Sequence, residues 1–124
     1  MKIAVPTMGN RGIEEKVAEH FGRCENYVIL NEKKEVVEII ENISAHNGGS
    51  GLPPELLKEK GVSILLCLNL GPKALRFFQD FNIQVYVDLA STVGEITVGN
   101  IFDKWKNNLI LQASNENVCK EHLQ

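Results

Sequence analysis

The chain has 124 residues, of which 44% are hydrophobic and 23% are charged, with a net charge of −3. This length suits one domain with a single core. A slightly acidic chain lacks the basic face of a nucleic-acid-binding protein and is not attracted to an anionic membrane surface. No apolar stretch is long enough to span a bilayer, and the opening run is broken at Pro6, too early for a secretion signal. Three widely spaced cysteines give no disulfide framework, so we expect a cytoplasmic location.

The hydrophobic pattern predicts five strands with helices between them. Short runs rich in β-branched and aromatic residues alternate with segments whose apolar residues recur every three or four positions. Two early runs flank the polar turn 31–35 and predict an antiparallel hairpin. A nearly continuous apolar run at 62–68 is typical of a strand buried on both faces. The predicted strands are 2–6, 27–31, 36–41, 62–68 and 83–87.

Helices are predicted after most of these strands. Ile13, Val17 and Phe21 lie four residues apart, which indicates one or two helical turns ending at Gly22. Prolines at the first helical positions are typical of a helix start and mark two further helices. A threonine followed by a glutamate three residues later resembles a capping box. The predicted helices are 13–22, 53–60, 72–81, 92–99 and 101–112.

This order of elements predicts an α/β fold with three α/β/α layers and a five-stranded mixed sheet. Alternating strands and helices favour a parallel sheet with helices covering its faces, and right-handed crossovers leave few topologies. The hairpin supplies one antiparallel strand, at 27–31. We expect a single α/β domain over residues 1–101, followed by a helical extension and a polar tail over residues 102–124.

The stretch His20-Phe21-Gly22-Arg23-Cys24 is the most informative part of the chain. An imidazole and a thiolate suit iron and sulfide-bridged metals. A neighbouring arginine compensates the negative charge of a thiolate or of an anionic cluster. The stretch follows the first predicted strand, and parallel sheets place ligands outside the carboxyl ends of their strands. We therefore expect this stretch to lie at the ligand-binding edge of the sheet.

Two other segments are expected at the same edge. One is a glycine-rich loop that contains His46, Gly48 and Gly49, where backbone amides can approach a large ligand closely. The other contains Gly71 and leads into a predicted helix, whose first N–H groups favour an anion. Together with Arg23, these residues predict an anion-accepting site without acid–base groups.

Each candidate also has an ordinary structural interpretation. His20 suits a metal ligand and equally a histidine at a helix C-terminus, where the helix dipole favours it. Cys24 is either a thiolate ligand or a small buried hydrophobic residue. Arg23 neutralises a bound anion or is simply solvated, and His46 is a ligand or a turn residue. These alternatives stay open at the level of sequence.

The remaining cysteines favour structural interpretations, and catalytic motifs are absent. Cys67 ends an apolar run and is expected in the core, so Cys24 should be the more accessible of the two thiols. Cys119 and His122 have chelating side chains at helical spacing, but their polar surroundings favour an accidental pairing. Nucleophile-elbow, phosphate-loop and dinucleotide-binding patterns are missing, so an enzyme is not expected.

Read in order, these features resemble the nitrogenase iron–molybdenum cofactor biosynthesis family, which includes small accessory carriers and the C-terminal domain of the cofactor-assembly enzyme. The resemblance covers about residues 1–101 and is most specific at 20–24 and 71–74. One departure is Asp88-Leu89-Ala90-Ser91, where the family often has glycines. The matching stretches are 1–6, 20–24 followed by Tyr27, 41–42 with His46 and 48–49, 60–62, 71–74, 82–86, 92–95 and 99–101.

The resemblance implies a ribonuclease-H-like fold and a non-catalytic role. It implies binding of an iron–sulfur or molybdenum-containing sulfide cluster, or of a precursor, in transit between donor and acceptor proteins. His20 and Cys24 fall in the family's ligand region. A second hypothesis is a regulatory module that binds a nucleotide or phosphometabolite without metal, with Gly71 in the anion cradle; it predicts that Cys24 is dispensable.

Overall fold

The computed structural model describes residues 1–42, 53–92 and 94–114. It has a mixed α/β fold, in which the described residues form six strands, three α-helices and two 3-10 turns. None of the described helices is long and apolar enough to cross a membrane. The strands are β1 (Lys2–Thr7), β2 (Asn26–Leu30), β3 (Val36–Glu41), β4 (Val62–Cys67), β5 (Gln84–Val87) and β6 (Leu111–Gln112). The helices are α1 (Pro53–Glu59), α2 (Pro72–Asp80) and α3 (Val98–Lys106), and the 3-10 turns are Gly12–Glu14 and Phe21–Arg23.

All six strands form one mixed sheet in the order β3-β2-β1-β4-β5-β6. Strands β1, β4 and β5 are parallel, and β2 is antiparallel to both of its neighbours, which confirms the predicted hairpin. Thr7 pairs with Asn26, and Asn26 pairs with Glu41. The carboxyl ends of β1, β3, β4 and β5 therefore meet along one side of the sheet, called here the carboxyl edge.

Helices cover both faces of the sheet. Because side chains alternate along a strand, Ala4 and Leu65 face a core that contains residues of α1 and α2. Their neighbours Val5 and Leu66 face a second core that contains Ile101 and other residues of α3. The described residues are thus arranged in three layers, with two helices on one face and one on the other.

The prediction of five strands and a final helix at 101–112 is wrong at the C-terminal end. Helix α3 begins at the Thr97 cap, whose hydroxyl accepts the Asn100 N–H in a capping box. It ends at Lys106, because Asn108 adopts a left-handed conformation with φ of 58° that turns the chain back. The next residues then pair antiparallel with β5 as the sixth strand. Gly99 lies inside α3 rather than after a helix.

The helix predicted at 13–22 is also absent. The Val17 N–H donates to the Ile96 carbonyl at 2.9 Å, and the Ala18 N–H donates to the Pro6 carbonyl at 2.8 Å. These bonds to distant segments use the backbone donors that a helix would need. The four-residue apolar spacing therefore reflects burial of Val17 and Phe21 in a loop that crosses the sheet edge.

Candidate functional site

An aromatic anchor holds the stretch 20–24 at the carboxyl edge. The Phe21 ring packs edge-on against Phe78 of α2, with centroids 4.9 Å apart, and lies 5.8 Å from the Tyr27 ring. The tight turn Phe21–Arg23 is closed by the Arg23 N–H, which donates to the His20 carbonyl at 3.3 Å. Since Phe21 points into the core, His20 and Arg23 on either side of it are presented to solvent.

His20 and Arg23 are the accessible members of the stretch. The His20 side chain is 35% exposed, and its Nε2 lies 3.8 Å from a Glu19 carboxylate oxygen. Arg23 is exposed, and no described residue forms an ion pair with it. A ligand at this edge can therefore meet one imidazole and one guanidinium without a rearrangement of the backbone.

Cys24, in contrast, is fully buried, and the expectation that it is more accessible than Cys67 is wrong. Both side chains have 0% exposure. Burial raises the pKa of the Cys24 thiol to about 11, against the opposing effect of hydrogen-bond donors from Tyr27 and Asn42. The thiol is therefore protonated at neutral pH in this conformation, and a protonated buried thiol does not bind metal. Its role as a ligand stays a prediction.

Polar groups surround the Cys24 sulfur in an otherwise apolar core. The Asn42 Nδ2 donates to the Cys24 carbonyl at 2.9 Å and lies 3.7 Å from the Sγ. The Tyr27 hydroxyl also faces the thiol, but it is buried and finds no partner of full hydrogen-bond geometry among the described residues. This unsatisfied hydroxyl provides a donor for the sulfur should the thiol lose its proton.

Cys67 is confirmed as a core residue. It ends β4 in the core on the α1–α2 side, and its Sγ lies 3.9 Å from the Tyr86 carbonyl. Burial raises the pKa of this thiol to about 12.

The second predicted segment, the glycine-rich loop, lies outside the described residues. His46, Gly48 and Gly49 lie outside the described residues, as do Cys119 and His122. Asn42, the last described residue before the glycine-rich loop, is fully buried, and its N–H donates to the Glu25 carbonyl at 2.8 Å. Strand β3 therefore ends beside the stretch 20–24, whereas the expected position of the glycine-rich loop stays a prediction.

The third predicted segment forms the start of α2 at the same edge. Gly71 is the N-cap, with no side chain to accept the first N–H groups of the helix, and Pro72 follows it as predicted. Just before it, the Oδ1 of Asn69 is buried without a hydrogen-bond partner among the described residues. The segment thus combines backbone donors with an unsatisfied amide group.

Acidic side chains partly offset the positive charge of Arg23 at the carboxyl edge. Glu19, Glu25 and Glu41 are all exposed near His20 and Arg23. Within the described part of the chain, no three histidine, cysteine, aspartate or glutamate side chains are grouped to hold a metal ion. The described edge therefore provides a few separate contacts and no closed coordination cage for a bare ion.

A fourth element of the edge was not predicted. Asp88, which follows β5 and is 2% exposed, accepts a bond from the Ser91 hydroxyl at 2.5 Å and one from the Lys104 ammonium at 3.1 Å. Burial alone raises the pKa of Asp88, but these donors outweigh it and hold the pKa below its usual value. The network fastens the loop after β5 to α3, beside a cavity of about 370 Å³ lined by Ser91, Glu95 and Lys104. Asp88 and Ser91 have turn spacing in the sequence, whereas Lys104 gives no such signal.

Comparisons with known proteins agree with this fold. A family model described as dinitrogenase iron-molybdenum cofactor matches residues 1–99. An uncharacterized protein of Methanocaldococcus jannaschii is 38% identical over 101 residues, covering 77% of this chain and 80% of the relative. The apo form of the orange protein from Desulfovibrio gigas is similar with a TM-score of 0.77 and 26% identity, covering 91% of this chain and 92% of that one. A putative NifB protein from Thermotoga has a TM-score of 0.71 and 26% identity, covering 90% and 91%.

Proposed function

Because the chain belongs to the dinitrogenase iron-molybdenum cofactor family, we propose that it carries a metal–sulfide cluster or its precursor. The cluster is cargo rather than a resident cofactor. It is an iron–sulfur or molybdenum-containing sulfide cluster, received from a donor protein and released to an acceptor. In this proposal the protein positions and protects the cluster and catalyses no reaction.

The observation that carries this proposal is the kind of binding group at the carboxyl edge, where the described residues offer separate polar and cationic contacts. A bare metal ion needs several ligands from the protein, and the described residues group no such set. A preassembled cluster brings its own bridging sulfides and needs only a few outer contacts. Thiolate-bound and sulfide-bridged clusters are anionic, so the exposed Arg23 and the uncapped amides after Gly71 suit such a cargo. His20 adds an exchangeable metal ligand.

Cys24 ligates the cluster in this proposal only after a change in its surroundings. Its thiol must become exposed and lose its proton, because only the thiolate ligates metal. The turn Phe21–Arg23 must therefore open before the sulfur reaches the cluster. Once ionised, the sulfur would be stabilised by donors from Tyr27 and Asn42. Cys24 is thus a conditional ligand, whereas His20 and Arg23 contact the cargo directly.

A second function has one observation in its favour. The first turn of α2 has no side-chain cap, and a helix N-terminus of this kind accepts phosphate. A regulatory module that binds a nucleotide or phosphometabolite would use these amides without metal. The exposed carboxylates Glu19, Glu25 and Glu41 repel a phosphate and an anionic cluster alike, so it is the family match that favours the cluster.

Anaerobic reconstitution separates the two functions. The purified protein is incubated with iron and sulfide, with and without molybdate, desalted, and analysed by visible absorption and metal counting. We expect metal and sulfide to co-elute with the protein in a fixed ratio. In parallel, inorganic phosphate and nucleotides are titrated by calorimetry. Tight phosphate or nucleotide binding without cluster retention would replace the carrier with the metal-free module.

A further inference from the structure

The two faces of the sheet are covered unequally. Helices α1 and α2 pack on one face, whereas α3 and the short turn Gly12–Glu14 pack on the other. The Val98 N–H donates to the Glu15 carbonyl at 2.9 Å, which fixes α3 beside this turn. Gly12 in turn lies against the Val36 side chain of β3. The turn is the last described element on this face, so no described helix covers the outer side of β3.

Strand register shows which β3 side chains point to this open face. Ile39 pairs with Val28 and Val36 pairs with Leu30, and both partners belong to the core on the α3 side. Unlike their buried partners, Val36 is 38% exposed and Ile39 is 36% exposed. Val37, at the register irregularity between them, is 49% exposed, and Ile13 of the neighbouring turn is 38% exposed. These four residues, Ile13, Val36, Val37 and Ile39, are called the β3 patch.

Two carboxylates flank the β3 patch. Glu41 lies two residues after Ile39 on the same face, and Glu14 follows Ile13 in the turn. Both are exposed, and neither forms an ion pair with a described residue. By contrast, Glu38 on the opposite face is paired with Lys60 at 2.8 Å. The nearby cations Arg11 and Lys34 are paired with Glu15 and Asp103, so the negative charge of Glu14 and Glu41 is only partly offset at the margin of the exposed branched side chains.

The β3 patch also adjoins a free strand edge. Among the strands that the structure describes, β3 is the last on its side of the sheet, so half of its backbone N–H and C=O groups point away from the described strands. An exposed apolar cluster beside a free edge marks an interaction surface rather than scattered surface residues.

Residues 115–124 do not suit this position. Residue 114 follows β6, which is five strand spacings from β3, or about 24 Å at roughly 4.8 Å per strand. About seven of residues 115–124, fully extended, would be used to cover this distance, and about three of them would reach the patch. Residues 115–124 also contain two glutamates and one lysine, so they offer no excess positive charge.

A second copy of the chain is no better suited. A symmetric contact through the β3 patch brings four carboxylates, Glu14 and Glu41 of both copies, into one interface, and the accumulation of like charge costs free energy. A positively charged partner would instead form favourable electrostatic interactions with these carboxylates.

We propose that the β3 patch is the docking surface of another protein, one that presents apolar side chains flanked by lysine or arginine. The apolar side chains fill the uncovered end of the sheet beside Ile13, Val36 and Ile39. The basic side chains neutralise Glu14 and Glu41. This docking surface does not depend on the nature of the cargo.

Amide NMR spectra of the full-length protein test this docking surface. The probe is a synthetic amphipathic peptide with leucine and isoleucine on one face and lysine on its flanks; its control has glutamate in place of lysine. We expect the lysine peptide to shift the amide resonances of residues 13–14 and 36–41, and the glutamate peptide to leave them unchanged. The doubly substituted protein Glu14→Lys/Glu41→Lys should reverse this preference.

Two variants that each replace an exposed apolar side chain test whether the peptide contacts the β3 patch. We expect Ile39→Thr to weaken binding of the lysine peptide about tenfold, as loss of a buried branched side chain costs roughly 1.5 kcal/mol. Leu111→Thr is the matched control, because Leu111 is 61% exposed on the opposite edge strand. Equal binding of both peptides, shifts centred away from β3, or no binding would overturn the proposal. So would sedimentation showing that two copies associate through this patch.

Discussion

Burial governs the chemistry of Cys24 and Cys67. With pKa values of about 11 and about 12, both thiols are almost entirely protonated in neutral solution. At pH 8 a thiol with a pKa near 11 is ionised in about one molecule per thousand, and its burial slows reaction further. The two thiols still differ in their location, since Cys24 lies in a loop at the carboxyl edge and Cys67 lies in a central strand.

We therefore expect iodoacetamide to modify both thiols far more slowly than a free cysteine peptide, with Cys24 reacting first. Local opening of an edge loop costs less free energy than opening of a central strand. Mass spectrometry of digested protein after timed labelling assigns each site. Labelling of Cys24 at the rate of the free peptide would show that the loop is open in solution, and faster labelling of Cys67 would contradict the order.

Cluster binding should become tighter as pH rises if Cys24 is a ligand. The thiol must lose a proton on ligation, so below its pKa of about 11 the folded protein releases a proton when it binds. The expected slope approaches a tenfold gain in affinity per pH unit, and Cys24→Ala should lack it. Titrations between pH 6.5 and pH 8.5, chosen as roughly the range in which clusters persist, measure both slopes. Identical slopes would remove the thiolate from the site and leave the cargo to His20, Arg23 and the backbone amides.

Asp88 should contribute to stability through its ionised form. Its folded-state pKa is lowered, so its contribution is present above the unfolded-state value of about 3.9 and is lost as pH falls through the folded-state pKa. We expect Asp88→Asn to lower the free energy of unfolding by about 1–3 kcal/mol at pH 7, because the bonds to Ser91 and Lys104 are weakened. Urea unfolding at pH 7 and at about pH 3 measures this, and the difference between the proteins should shrink at the lower pH. A constant difference across this range would show that charge is not its cause.

Among the elements, the turn Phe21–Arg23 depends on tertiary contacts for its stability. It has no side-chain cap, and Phe21 is its anchor to Tyr27 and Phe78. We expect Phe21→Ala to lower the free energy of unfolding by about 3–5 kcal/mol, the usual cost of deleting a buried aromatic ring. Leu89→Ala is the control, since Leu89 is 58% exposed at the same edge and should change stability little. Denaturant titration compares the two, and equal losses would show that the aromatic anchor does not hold the turn.

The strands and the carboxyl edge were predictable because their signals are local. The apolar run before Cys67 and the hairpin around 31–35 appear as strands in the structure, and Gly71-Pro72 begins a helix as predicted. The helix predicted at 92–99 is absent before Val98 in the described residues, because Thr92 and Thr97 each precede a residue suited to a capping box and only Thr97 caps a helix. Only packing against the turn Gly12–Glu14 selects the second. Strand β6 is two residues long, too short to give any periodic signal.

The position of the stretch 20–24 at the strand ends was predictable, but the exposure of its side chains was not. The order of His20, Arg23 and Cys24 in the sequence places all three at the strand ends. Whether a side chain points in or out depends on Phe21, which packs on a helix more than fifty residues later in the chain. The buried contacts of Cys24 with Tyr27 and Asn42 depend on strand pairing in the same way. Such long-range contacts have no periodic signature in one sequence.

For the whole molecule, the central claim is that a metal–sulfide cluster binds at the carboxyl edge through exposed His20 and Arg23. The decisive measurement is anaerobic cluster loading of the wild type, of His20→Ala/Arg23→Ala and of Lys33→Ala. Lys33 is an exposed cation in the β2–β3 turn, on the opposite side of the sheet, and serves as the charge-matched control. We expect the wild type and Lys33→Ala to retain equal amounts of metal and sulfide, and the double variant to bind about 10–100-fold more weakly. Equal loading of all three proteins, or no loading of the wild type, would contradict the claim.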